Sequence, residues 1–352
     1  MLRMELLKMK SVGSDEVSDI KSDSSCDPRW WRRLKAGCVT LVVLLVVTGG
    51  VLYWAAVSMD PSLGPESYRV RSVGKAAAKY LSADPDVVSA KVDRAEADKN
   101  GSVVSVGASL KDGTSVHKAA DLVVSVQQRT LEKESTYGGA LEVSLSWKIG
   151  GNDIDVNINC RRDANRIRVD ILRAINPAGE PKAIQGDIDE HAGPTVDYGV
   201  VTATPPSLTQ AGSPHSVKTF TLNEWKVTST SSGTGDSFAK APFEQIIAAA
   251  GRAGQNGAIV ASPFGDGTSI LLSGLVSEPG DVLSVDKAAA IVHGLADCRS
   301  LGISRLMIDT VQQDSSSPSQ LEFTCQDGQF TAHDDHSSDG REAEVLQHAA
   351  AL

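Results

Sequence analysis

Apolar and polar residues change spacing several times along the chain, and each change marks an expected element. AGCVTLVVLLVVTGGVLYWAAV, Ala36 to Val57, is 22 residues without a charge. At 1.5 Å per residue a helix of that length spans about 33 Å, enough for a bilayer. SVGKAAAKYL, from Ser72, has the composition of a helix that ends at Asp84-Pro85. VVSAKVDRA and SVVSVGASL alternate with period two around Asn100-Gly101, which predicts a hairpin. A helix is expected from Ser115 to about Leu131. ALEVSLSWKI and NDIDVNINC read as a second hairpin turning at Gly150-Gly151, and RIRVDILRAI as a further strand.

Over 176–220 no period persists. Pro177, Pro181, Pro194, Pro205, Pro206 and Pro214 punctuate the stretch, with one short strand at VDYGVVTA. So long an irregular connection argues for a domain boundary. Beyond it PFEQIIAAAGRA is helical, GAIVASPF and TSILLSGLV are strands, SVDKAAAIVHGLADC is a helix, and RLMIDTVQQ and QLEFTCQDG are strands.

Ser115-Val116-His117-Lys118 and Ser284-Val285-Asp286-Lys287 fall 169 residues apart, and the surrounding elements correspond at close to that offset. Residues 72–160 and 242–325 thus read as two copies of one unit. The expected fold class is α+β: one N-terminal transmembrane helix, then two similar helix–strand–strand–helix–strand–strand modules with mainly antiparallel sheets. The divisions are a disordered tail with a basic juxtamembrane segment (1–35), the membrane helix (36–57), a stalk (58–71), a first module (72–175), a connection (176–240), a second module (241–330) and an acidic flexible tail (331–352).

Charge gives this plan a direction. Residues 1–35 hold eight Lys or Arg and six Asp or Glu, a net of +2; the apolar run adds none, so 58–352 carries –12 of the total –10. Arg29, Arg32, Arg33 and Lys35 precede the apolar run, which places the N-terminus in the cytoplasm and the long C-terminal part outside. Those four bases suit contact with anionic lipid. The acidic exterior disfavours nucleic acid. Cys26 and Cys38 fall in the tail and the apolar run. Cys160, Cys298 and Cys325 fall in the oxidising compartment, and a Cys298–Cys325 bridge is the expected pairing.

Candidate chemistry is sparse. Ser115 and Ser284 each stand three residues before a lysine, a spacing that serine acyl-transfer enzymes use. Neither Ser-Asp-Asn nor Lys-Thr-Gly accompanies them; Lys218-Thr219 is followed by Phe220. A serine before a helix is also an N-cap, and that reading accounts for both copies. His117 and His293 sit on the two corresponding helices. His333, Asp334, Asp335 and His336 could gather an ion, as could His191 with Asp187, Asp189 and Glu190, but both stretches read more simply as exposed acidic segments. Phe264 and Asp266 mark a Gly-rich turn that could belong to a binding surface. No catalytic, metal or cofactor residue is assigned. The expectation is a membrane-anchored extracytoplasmic binding or assembly protein of the envelope, partnered by a membrane or envelope protein; a Ser-x-x-Lys hydrolase and a signalling protein are the alternatives.

Overall fold

The computed structural model describes residues 28–59, 64–98, 101–133, 137–161, 163–175, 181–209, 215–232, 238–254, 256–276, 278, 281–311, 319–333 and 340–352; the side chains of 28–40 fall outside the description. The chain forms two compact units, Met1–Ser58 and Met59–Leu352.

In the first unit, α1 spans Pro28–Met59. Its side chains from Leu41 to Trp54 are well exposed, Leu44 at 60% and Trp54 at 72%. Among the described residues no helix is long and apolar enough to cross a membrane. The transmembrane helix expected over Ala36–Val57 is therefore not found among the described residues.

The second unit replaces the expected pair of modules with one mixed sheet of 13 strands in sequence order. After α2 (Pro65–Ser82) come β1 (Val87–Asp98), β2 (Gly101–Leu110), α3 (Val116–Lys133), β3 (Ala140–Ile149), β4 (Asn152–Asn159), α4 (Ala164–Ala174), β5 (Ala183–Ile188) and β6 (Thr195–Val201). A 3-10 turn, Pro206–Thr209, leads to β7 (Val217–Leu222) and β8 (Trp225–Thr230). Then follow α5 (Phe243–Ala250), β9 (Ala258–Phe264), β10 (Gly267–Ser273), α6 (Val285–Gly294), β11 (Ile303–Asp309), β12 (Gln320–Gln326), β13 (Gln329–Ala332) and α7 (Glu342–Ala351).

Antiparallel hairpins alternate with parallel joins. β1 and β2 pair antiparallel, β2 and β3 parallel, β3 and β4 antiparallel, and β4 and β5 parallel. The alternation continues to β11, after which β12 and β13 close the sheet antiparallel. Two turn residues suffice for a hairpin, whereas parallel neighbours need a longer crossover. Helices α3, α4, α5 and α6 supply crossovers, and the 3-10 turn serves between β6 and β7.

The six-element order expected at each end is present, as α2 to β4 and as α5 to β12. The mainly antiparallel, two-module arrangement is not, because β5–β8 bridge the halves through hydrogen-bonded edges. Those strands lie in the stretch expected to be a connection. They are six or seven residues long, too short for a sustained period. The β7–β8 hairpin turns at Asn223 and Glu224, both with positive φ (48° and 69°), without the glycine that flags such turns.

RIRVDILRAI is α4, not a strand. Its buried Ile167, Ile171 and Ala174 follow helical spacing, and Asp163 caps its start by accepting from the Asn165 and Arg166 amides. The expected flexible tail over 331–352 contains α7, which packs on α6 and buries Val345 and Ala349.

The sheet's two faces differ. Leu141, Val143 and Leu145 of β3 join Ile154, Val156 and Ile158 of β4 and Ala119, Val123 and Val126 of α3 in one core. Burying each aliphatic side chain contributes about 1.5–3 kcal/mol before chain entropy is set against it. Residues between them in sequence, such as Glu142, Ser144, Ser146, Asp155 and Asn157, point to the other face and are exposed or half-exposed. Among the described residues no helix covers that face.

Candidate functional site, the uncovered face of the sheet

Ser115 and Ser284 are helix starts. The Lys118 amide donates to Ser115 Oγ at 3.2 Å, and the Lys287 amide to Ser284 Oγ at 3.3 Å. The lysine amines serve elsewhere: Lys118 Nζ lies 2.9 Å from Asp84 Oδ2, and Lys287 Nζ donates to the Leu275 carbonyl at 2.8 Å. The hydrogen bond to Asp84 raises the Lys118 pKa above that of an ordinary lysine. Burial alone would raise Asp84, but the bonds from Lys118 and the Asp86 amide outweigh it and hold the carboxyl low. This ion pair joins α3 to the turn after α2 and occupies the lysine that would act as base for the hydroxyl.

The histidines are similarly occupied or exposed. His117 is exposed. His293 Nδ1 donates to the Ala349 carbonyl at 2.9 Å and so joins α6 to α7. His191 is exposed beside Glu190, while Asp189 accepts from the His191 and Ala192 amides and Asp187 from Asn157 Nδ2 at 3.1 Å. His333 lies against Glu322 at 3.4 Å and Thr324 at 3.2 Å; Asp334, Asp335 and His336 lie outside the described residues. Among the described residues no three His, Cys, Asp or Glu side chains gather as a metal site.

Cys298 and Cys325 are bridged, with Cα atoms 5.9 Å apart, and tie the turn after α6 to β12. Cys160 is buried, its Sγ 3.6 Å from the Ile158 carbonyl. Beside the bridge, α6, α7 and the β12–β13 turn frame a cleft of about 1050 Å³, where Arg299 and Asp327 approach to 3.7 Å across the rim.

The sheet register organises the uncovered face into rows that cross the strands. One row runs Ser89, Ser109, Ser146, Asp155, Gln185, Thr195 from β1 to β6. The next holds Gly107, Ser144, Asn157 and Asp187, and a third Ser105, Glu142 and Asn159. Ser109 and Ser146 hydroxyls lie 3.2 Å apart. These short side chains leave adjoining hollows of about 300 and 220 Å³ that share Ser144.

Toward the other end the character changes. Val260, Leu271 and Met307 stand opposite one another on β9, β10 and β11, all half-exposed. Phe264, 45% exposed, lies with its ring centroid 5.4 Å from the Arg305 guanidinium. Arg305 also pairs with Glu322 at 2.6 Å. Of these residues only Phe264 stood out in the sequence, because a row across strands depends on register. Asp266 is exposed in the turn beyond it.

A buried amine escaped the sequence too. Lys218 of β7 faces the core at 6% exposure beneath the crossover that lacks an α-helix. Its Nζ donates to the Leu208 carbonyl at 3.3 Å and lies 3.8 Å from the Phe238 ring centroid. Burial pushes its pKa down to about 8.

No family model, curated protein or solved structure matches the chain.

Proposed function

We propose that this chain is an extracytoplasmic binding and assembly protein of the cell envelope, which docks a membrane or envelope protein on the β9–β11 end of its uncovered face. The observation that carries the reading is the Val260–Leu271–Met307 row beside Phe264 and Arg305. Apolar, aromatic and arginine side chains grouped on an open surface are what protein interfaces concentrate at their centres.

Two features favour the compartment. The Cys298–Cys325 bridge suits an oxidising environment. In the N-terminal unit, exposed Leu, Val and Trp side chains over 41–54 suit a non-aqueous neighbour, and the bases Arg29, Arg32, Arg33 and Lys35 that precede them in sequence suit anionic lipid. A binding role also agrees with the occupied Ser-x-x-Lys lysines, which leave neither serine activated.

Crosslinking of the full chain in native membranes tests the reading. A specific envelope protein should be captured reproducibly, and Leu271→Asp should abolish the capture. Absence of any reproducible partner, or capture indifferent to Leu271→Asp in a folded chain, would overturn it.

A further inference from the structure

The β1–β6 end of the uncovered face has a different chemistry from the β9–β11 end. Strands lie about 4.8 Å apart, so one short polar group per strand makes a line of contacts spaced by roughly one sugar ring. Ser109, Ser146, Asp155, Gln185 and Thr195 form such a line, with hydroxyl, carboxylate and amide groups that both donate and accept. Gly107 has no side chain, and the Asp93 carboxylate occupies the space a methyl would take. The hollows of about 300 and 220 Å³ meet at Ser144 and are lined mainly by serine, asparagine and carboxylate residues, with Ile158 in one, Leu145 and Ala108 in the other, and no aromatic group.

Charge narrows the occupant. Glu142, Asp155 and Asp187 line the strip, while Lys91, the base in these hollows, is held by Asp93 at 2.9 Å. An acidic strip repels nucleic acid, anionic lipid and acidic polysaccharide. The lack of an apolar centre fits poorly with a protein hot spot. An extended, hydroxyl-rich ligand without negative charge can hydrogen-bond to these groups and avoids that repulsion.

We infer that the β1–β6 strip binds an unbranched, hydroxyl-rich glycan strand without acidic groups, laid across the strands with successive sugars in the hollows on either side of Ser144. This site is independent of the proposed protein-docking end, so the chain would hold a glycan and a protein partner on one face.

The test is calorimetric titration of the full chain in detergent with an uncharged oligomer of N-acetylhexosamine, its monomer and a sulfated oligomer. The uncharged oligomer should bind saturably, the monomer at least tenfold more weakly, and the sulfated oligomer not measurably. Ser144→Trp, which fills both hollows, should abolish binding; Asn157→Ala, a milder change, should weaken it about tenfold, as loss of one or two hydrogen bonds would. Leu271→Asp should leave oligomer binding unchanged while abolishing protein capture, which separates failure of this site from failure of the docking reading. No saturable binding of the uncharged oligomer, equal binding of the sulfated one, or unchanged binding by folded Ser144→Trp and Asn157→Ala chains each overturns the inference.

Discussion

Lys218 Nζ lies 3.8 Å from the centre of the Phe238 ring, and the ring helps to keep the amine from water on the core side of the sheet. Burial lowers its pKa from 10.5 to about 8. Between those values the unfolded chain binds more protons than the folded one, so this group makes stability rise with pH. Denaturant titrations from pH 8 to 10.5 should show that rise, at most about 3 kcal/mol from this side chain, and Lys218→Met should remove it. An unchanged slope in Lys218→Met would show that the amine stays solvated.

Tyr137 has the opposite sign. Burial first, then the charges of Glu66 and Glu142, raise its pKa from 10 to about 12, and its hydroxyl donates to the Ala140 carbonyl at 2.7 Å. The folded chain retains this proton above pH 10 after the unfolded chain has lost it. The stability it contributes is complete below pH 10 and is lost as pH rises through about 12. Tyr137→Phe should flatten that decline, at a cost of about 1 kcal/mol near neutrality for the missing hydrogen bond. Absorbance of the tyrosinate during the titration reads the two states directly.

Ser115→Ala and Ser284→Ala should each cost about 1 kcal/mol of stability, the usual effect of removing an N-cap. The caps belong to different crossovers, so the double substitution should be additive. A nucleophilic role for either serine predicts a different result: labelling by a fluorophosphonate probe. Neither hydroxyl should be labelled.

Reduction of the Cys298–Cys325 bridge should destabilise the chain by about 3–4 kcal/mol, from the loop of 27 residues' separation that it closes. Non-reducing peptide mapping should recover this pair, with Cys160 outside it. Cys160→Ser should leave the bridge intact, whereas a Cys160-containing disulfide in the native chain would contradict the assignment.

Much of the local structure was legible because it depends on neighbours in sequence. Alternation marked the β1–β2 and β3–β4 hairpins, and Gly150 and Gly151, with φ of 60° and 89°, occupy the tight turn that their composition predicted. Ser115 and Ser284 could be read as caps because a cap needs only its own side chain and an amide three residues on. RIRVDILRAI could not be assigned so easily, since Ile167, Val169 and Ile171 alternate as in a strand while Ile167, Ile171 and Ala174 follow helical spacing. The helix wins through Asp163 at its start and the burial of Ile167, Ile171 and Ala174 along one side.

The sequence by itself determined which residues alternate, where helices begin, how charge divides along the chain and which cysteines suit a bridge. Only the tertiary structure decided that β5–β8 join both halves into a single sheet, because an edge strand recognises its neighbour through backbone groups common to every residue. The same holds for the rows on the uncovered face. Ser109, Ser146 and Asp155 are scattered in sequence and become one line only when the register sets them opposite one another, and a shift by one residue would turn them into the core.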